Sequence, residues 1–177
     1  YKPFNAYAVG WMFWGIESMV STQSISKMED FKGLKMRVPQ GMTAMLFQEL
    51  GASVVVLPGG EVYSALDKGV INTSDWASPS MNQRMGFFQV AKYTNYPGFH
   101  SMPMASFTVN LDEWNKLPDD IKQILKTACR EWAWDSIERI AIDDIRALKE
   151  MKANGVTVQT WSEEDLTRVR AKAMAMW

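Results

Sequence analysis

The sequence predicts an α/β fold, and three observations carry that expectation. Residues 35–75 alternate short apolar or β-branched runs with helical runs, and each helical run ends on a glycine. Strand, helix, strand, helix, strand at this spacing calls for a parallel sheet with right-handed crossovers. The 177 residues are 47% hydrophobic and 22% charged, close to ordinary globular domains. A chain of this length buries about 70% of its unfolded surface, enough for a core without staples. Finally, one helical stripe begins behind Pro118 and lasts to Gly155, too long for a single small domain.

Taken in order, residues 6–11 (AYAVGW) read as a buried strand. Ser26 and Glu29 stand at capping-box spacing, hydroxyl and carboxylate each satisfying a backbone donor of the turn, which Gly33 can end. Residues 35–38 form a strand, 42–50 a helix closed by Gly51, 53–57 a strand, 61–68 a helix closed by Gly69, and 70–75 a third strand. A short helix over 78–85 leads into an irregular stretch through Tyr96-Pro97-Gly98, and 106–110 (SFTVN) is again a strand.

Pro118 suits the first turn of a helix, where Asp119 and Asp120 complement the positive end of the dipole. Ile121, Ile124, Leu125, Ala128, Trp132, Ile137, Ile140, Ala141, Ile145, Leu148 and Met151 keep its apolar stripe. Such a helix runs about 50 Å at the standard rise, so it is expected to cross between two lobes or to join an oligomer. Residues 157–159 make a weak strand, and Ser162 caps a last helix whose apolar positions include Leu166, Val169, Ala173 and Trp177. That helix has no stop signal and the first strand has no partner just before it, so both ends read as cut.

Nineteen basic against twenty acidic side chains, a net charge of -1, argue against a nucleic-acid binder. The longest apolar stretch, residues 6–16, is too short to span a bilayer. One cysteine, Cys129, cannot form an internal disulfide, and with one histidine, His100, a structural zinc site is excluded. Neither a P-loop, a GxGxxG turn nor a GxSxG elbow is present.

Open parallel sheets bind ligands beyond the carboxyl ends of their strands. Three such ends are readable: Arg37 to Gly41, Leu57 to Gly60, and Asp75-Trp76. A carboxylate or phosphate suits this mix, because guanidinium binds planar anions bidentately and helix starts favour negative charge. Equally, Arg37 could pair with an internal acid and the glycines serve turns. His100 reads as a hydrogen-bonded loop residue before it reads as a base, and Cys129 as a small buried hydrophobe. Glu17, behind a run of aromatics, lines a pocket or lies on the surface. Trp114, Trp132, Trp134 and Trp161 are expected to pack core or interlobe surface, whereas Trp11, Trp14 and Trp76 are candidates for pocket walls.

The run MEDFKGLKMRVP over residues 28–39 resembles the periplasmic solute-binding subunits of tripartite ATP-independent periplasmic (TRAP) transporters, of the DctP type. GEVYSALDKGVIN over 60–72, Tyr96-Pro97-Gly98, and Leu117-Pro118-Asp119-Asp120 agree in order and spacing. The resemblance implies a periplasmic receptor with two α/β lobes, mixed or parallel sheets and a long helix spanning both. In that arrangement residues 1–18 and 105–135 would be remnants of the first lobe and the hinge crossings, and 19–104 with 136–177 the second lobe. Much of the first lobe would precede Tyr1.

It further implies a small organic acid bound in the cleft, with Arg37 clamping its carboxylate and delivery to the membrane subunits of the transporter. Asp75 would fix a hydroxyl, amine or cation, Trp76 and Phe99 would shape the pocket, and Glu17 and His100 would stand at its polar rim. In the 2-oxo-acid branch an acid–aromatic pair at Asp75-Trp76 helps to hold a cation, which admits sodium or calcium. That branch has a further Glu or Gln where this sequence has Ser101. A homodimer through the long helix is a further option. The alternative function is a small hydrolase or lyase using Asp75 and His100 on a carboxylate, against which stands the absence of any nucleophile–base spacing.

Overall fold

Between Lys35 and Ala77 the alternation read from the sequence folds as three strands joined by two helices. The computed structural model describes residues 1–176, and Trp177 lies outside them. Strands β1 (Ala6–Phe13) and β2 (Ser18–Ser21) come first, followed by β3 (Lys35–Arg37), α1 (Met42–Glu49), β4 (Ser53–Val55), α2 (Val62–Asp67) and β5 (Thr73–Ala77). Then come α3 (Pro79–Arg84), β6 (Tyr93–Asn95), β7 (Met104–Asn110), α4 (Leu111–Lys116), α5 (Asp119–Ala153), β8 (Thr157–Gln159) and α6 (Glu163–Met176).

The chain divides into two compact units. One comprises Tyr1–Gly15 and Met102–Asp143, the other Ile16–Ser101 and Asp144–Trp177. The 35 residues of α5 are shared, with Asp119 to Asp143 in the first unit and the last turns in the second.

In the first unit β1 pairs antiparallel with β7, with a register shift between Ala8 and Gly10. Gly10 lets the strand approach α5, since a Cβ there would stand 3.1 Å from the Cys129 Cβ. Tyr7 stacks on buried Trp114 with ring centroids 4.3 Å apart. Trp132 and Trp134 are not core residues, being 46% and 66% exposed, although Trp132 meets Phe107 edge-on at 4.9 Å. Most of the predicted stripe on α5 is likewise not buried: of its apolar positions Met151 is buried, whereas Ile121, Ile124 and Ile145 are exposed.

In the second unit a six-stranded sheet runs in the order β4-β3-β5-β2-β6-β8. β3 is parallel to β4 and β5, and β6 to β8, but β2 is antiparallel to both its neighbours. The sheet is therefore mixed, where the alternation alone predicted a parallel one. Two strands escape the sequence pattern, β2 and β6. The residues of β2, Ser-Met-Val-Ser, are all buried, so neither periodicity nor composition marks it.

Successive residues on this sheet divide between two apolar clusters, Met19 and Val54 with one, Val20 and Val55 with the other. Because side chains alternate across a strand, the clusters cover opposite faces. One gathers Phe31, Met36, Phe47, Trp161 and Val169 from the α1 and α6 side, the other Val62, Leu66, Phe87, Ala147 and Met151. Neighbouring loops also differ from expectation in one cap. Asp30, not Glu29, accepts from the Ser26 and Lys27 backbone N–H groups, at 2.8 and 3.2 Å, while Glu29 pairs with Arg168 on α6.

Candidate functional site

The sheet topology brings four segments to one edge. β3 and β5 end there, and the antiparallel β2 begins there, with Ser18 opposite Ala77. β6 runs antiparallel to β2 and so ends at the same edge, where its loop carries Phe99 and His100. This is the carboxyl edge at which open α/β sheets bind ligands.

Arg37, at the end of β3, is half-buried and held by carbonyl oxygens rather than by an acid. Its Nε donates to Leu57 O at 3.3 Å and its Nη1 to Asp75 O at 2.8 Å. The guanidinium carbon lies 5.1 Å from the Trp76 ring centroid, within cation–π range. Among the described residues Arg37 forms no ion pair, so the reading in which an internal acid neutralises it is not what the fold uses. Burial lowers its pKa, and Asp75 and Glu17, whose charges both favour the cation, oppose that shift. Trp76 in turn lies against the Gly59 backbone, where any Cβ would overlap the indole, and meets Phe87 edge-on at 5.7 Å.

Asp75 points to the other side of this pair. Its Oδ1 lies 3.0 Å from His100 Nε2, with both side chains nearly sealed from solvent, at 3% and 0% exposure. A neutral imidazole donating Nε2–H to Asp75 keeps an acceptor at Nδ1, and Nδ1 is buried with no partner among the described residues. Phe47 and Phe99 meet the imidazole edge-on at 5.5 and 5.6 Å. Phe99 itself packs on Trp161 at 4.4 Å.

Glu17 completes the cluster. One ligand atom from each of Glu17, Asp75 and His100 lies within 4.8 Å of the others. Glu17 is only partly buried, so it is the member that meets solvent. Its backbone is clamped by Gly98, at which any Cβ would collide with the Glu17 carbonyl, and its N–H donates to Ser101 O at 3.1 Å. Burial, and then the neighbouring Asp75 charge, push the Glu17 carboxyl above its ordinary range. The fold thus favours the protonated acid, and that contribution to stability is present at low pH and lost as pH rises through the raised value. Glu17→Gln is expected to melt above the parent protein at about pH 8 and level with it near about pH 4. The difference should stay below about 1 kcal/mol because solvent screens the partly exposed group. A thermal melt series against pH checks it, and a variant less stable than the parent at the upper pH would contradict it.

Sodium and calcium take oxygen donors, and calcium about six to eight of them. This cluster offers two carboxylates and one imidazole, whose Nε2 is engaged with Asp75, and Ser101 stands where the resemblance expects a further Glu or Gln. Two carboxylates are too few oxygen donors for calcium.

Two positioning residues were not singled out from the sequence. Asn82 on α3, fully buried, donates its Nδ2–H groups to Ser18 O and Ala77 O, both at 2.9 Å. These are the residues following Glu17 and Trp76. Between them the ladder slips, Ser18 pairing with Ala77 and Met19 with Asp75, so that Trp76 is the extra residue of a β-bulge. Bulges twist a strand and re-aim its side chains. Asp144 on α5 accepts from Ser78 Oγ and Ser80 N, both at 2.8 Å, capping α3 from a distant part of the chain. Pro79 at the start of α3 marks that helix in the sequence, but nothing marks its partners.

Of the candidate pocket-wall tryptophans, Trp76 adjoins Arg37. Trp11 lines a groove of about 350 Å3 in the first unit with Phe13, Lys126, Arg130 and Trp134, and Trp14 is partly exposed in that same unit.

The profile of the bacterial extracellular solute-binding proteins, family 7, named DctP, matches residues 1–177. The chain belongs to the DctP family. Over 143 residues it is 36% identical to the monocarboxylate 2-oxoacid-binding periplasmic protein of Nostoc sp., covering 80% of this chain and 39% of that one. A TRAP periplasmic solute-binding protein of Pseudoalteromonas atlantica, solved with sodium and pyruvate, superposes with a TM-score of 0.82 at 28% identity, covering 99% of this chain and 54% of the other. One from Desulfovibrio salexigens with bound orotic acid gives a TM-score of 0.89 at 26% identity, over 97% and 55% of the two chains.

This DctP chain therefore spans about half the length of the solved relatives, and less of the Nostoc protein. Members of the family are solute-binding receptors, not enzymes. The hydrolase or lyase alternative gains no support from them. Asp75 and His100 do meet, but a sealed imidazole cannot reach a substrate. Among the described residues no helix is long and apolar enough to cross a membrane.

Proposed function

We propose that this DctP chain is part of a periplasmic receptor that captures a small organic acid and delivers it to the membrane subunits of a TRAP transporter. The observation that carries the reading is Arg37, a guanidinium pinned by two carbonyls and, among the described residues, without a direct ion pair at the carboxyl edge of the sheet. Two of its N–H groups are spent on positioning, which leaves others to receive a carboxylate in the planar, bidentate manner that arginine favours. Trp76 and the half-buried Phe99 supply apolar walls, while Glu17 and Asp75 form the polar side, with His100 behind Asp75.

Relatives solved with pyruvate and orotic acid support a carboxylate as the ligand class, and the periplasmic names of homologues support the location. In this reading the second unit is one lobe of the receptor and the first unit belongs with the other. The sodium found with pyruvate in the Pseudoalteromonas relative would have Glu17 and Asp75 as its oxygen donors here, and calcium finds no support. Exposed Ile124, Trp132, Trp134 and Ile145 favour self-association through the long helix, which sedimentation analysis would read as a dimer.

The test is a thermal-shift screen against small carboxylates with and without sodium. A ligand at a hundred times its dissociation constant adds about 2.7 kcal/mol, raising the midpoint by about 5–10 °C for a chain of this size. A shift confined to one class of acid is the expected result. Equal or absent shifts across all acids would overturn the receptor reading.

A further inference from the structure

We infer that Gly59 is a positioning residue of the carboxylate site. Having no side chain, it seats the Trp76 indole beside Arg37, and the layers Gly59, Trp76 and Arg37 hold the guanidinium in place for the ligand. The inference rests on the receptor reading above and adds to it a residue that acts through its neighbours. Why residue 59 is a glycine is the first argument. Gly51, Gly69 and Gly86 take positive φ angles, which side chains rarely adopt, but Gly59 does not. It opens a single turn, Gly59–Glu61, behind Pro58. What excludes a side chain there is space. A Cβ at 59 would overlap Cη2 and Cζ3 of the Trp76 ring, whereas one at neighbouring Gly60 would meet nothing within 4 Å.

The second argument is how the indole is held. Trp76 is the extra residue of the β5 bulge, and its ring meets fully buried Phe87 edge-on at 5.7 Å. It packs against the cluster that holds Val62 and Phe87, and the guanidinium carbon of Arg37 lies 5.1 Å from its centroid. Carbon atoms rest about 3.5–4.0 Å apart, so a Cβ at 59 would push the ring by about 1 Å or more. A rigid bicycle yields only as a whole, and such a shift changes its distances to Phe87 and Arg37 together.

The third is that two contacts span one pair of segments. Arg37 donates to Leu57 O at 3.3 Å and to Asp75 O at 2.8 Å. Leu57 stands two residues before Gly59, and Asp75 directly before Trp76. Parting Gly59 from the indole therefore pulls on both acceptors of the guanidinium. The Nε bond, already long, has little slack before it is lost. Planar, bidentate recognition of a carboxylate needs its donor held to within about 0.5 Å.

The experiment is a double-mutant cycle over Gly59→Ala and Trp76→Phe, because phenylalanine keeps an aromatic wall but lacks the outer ring carbons that a Cβ would strike. One readout is calorimetric titration with pyruvate in sodium chloride, replaced by the best acid of the carboxylate screen if pyruvate gives no heat. The other is the proton–nitrogen resonance of the Arg37 Nε–H, assigned by its loss in Arg37→Lys. In the parent background Gly59→Ala is expected to weaken binding about tenfold or more and to displace the resonance. In the Trp76→Phe background the same substitution should cost less than about twofold and leave the resonance where that background has it. Thermal melts establish which variants are folded. Should Gly59→Ala not fold, Trp76→Phe carries the test, and an unmoved resonance with parent affinity would overturn the inference. So would equal losses in both backgrounds, or a Gly59→Ala protein that binds like the parent, and each leaves the receptor reading standing. A parent that binds no acid of the screen would overturn the receptor reading. The resonance then decides alone: displaced by Gly59→Ala it supports the seating of Arg37, and unmoved it overturns it.

Discussion

Replacing Arg37 by alanine is expected to weaken carboxylate binding by about 30- to 5000-fold, the range given by about 2–5 kcal/mol for truncating one partner of a desolvated charge pair. The carboxylate would then meet Glu17 and Asp75 with no cation between, so the loss exceeds that of one neutral hydrogen bond. Arg37 also donates to Leu57 O and Asp75 O, which lie at the ends of two different strands. Part of the effect would therefore pass through the position of Trp76 and the Leu57 turn. Arg37→Lys separates the contributions. It keeps the charge but is a point donor, unable to hold two carbonyls and a planar anion together. Calorimetry should rank parent, lysine and alanine in that order. An unchanged dissociation constant in the alanine variant would remove Arg37 from the site.

Asn82→Ala is expected to cost stability and affinity together. Truncation strands the Ser18 and Ala77 carbonyls, for which Asn82 Nδ2 supplies a hydrogen bond in a buried setting. Leaving a buried acceptor unmade costs about 1–2 kcal/mol at the lower end of the usual range, so about 2–4 kcal/mol is expected for the pair. At this chain length the melting midpoint should fall by about 5–15 °C. Below that midpoint the folded variant should still bind a carboxylate about tenfold more weakly, because the bulge that aims Trp76 and the start of β2 behind Glu17 lose their common anchor. Unchanged melting and unchanged affinity would show that the ladder holds the bulge unaided.

The two positions illustrate what a sequence displays and what it hides. Arg37 was legible because it ends a strand whose neighbours are apolar and whose exit carries proline and glycine. Asn82 was not, because a buried asparagine and a surface asparagine look alike until the carbonyls above it are known. Capping shows the same limit at shorter range. Ser26 announced a cap, but acids stand side by side at 29 and 30, and it is Asp30 that accepts from Ser26 while Glu29 pairs with Arg168. On α5 the stripe correctly announced a long helix, yet periodicity could not say which of its apolar positions would be covered. Ala147 and Met151 are buried, while Trp132 and Trp134 stay exposed.

By itself the sequence determined the α/β class, the helices other than α4 with the glycine stops of α1, α2 and α5, and the three strand ends that carry Arg37, Leu57 and Asp75-Trp76. Those features are written in windows of a few residues, where spacing, β-branching and turn chemistry act locally. The tertiary structure decided that a short strand without pattern would enter antiparallel between β5 and β6. That insertion brings Glu17 beside Asp75, 58 positions away, and His100 beneath it, 25 positions away. Which strand pairs with which depends on the summed packing of two faces of a sheet rather than on any one segment. For that reason the acids and the imidazole could be named singly from the chain, but only the folded sheet makes them one cluster.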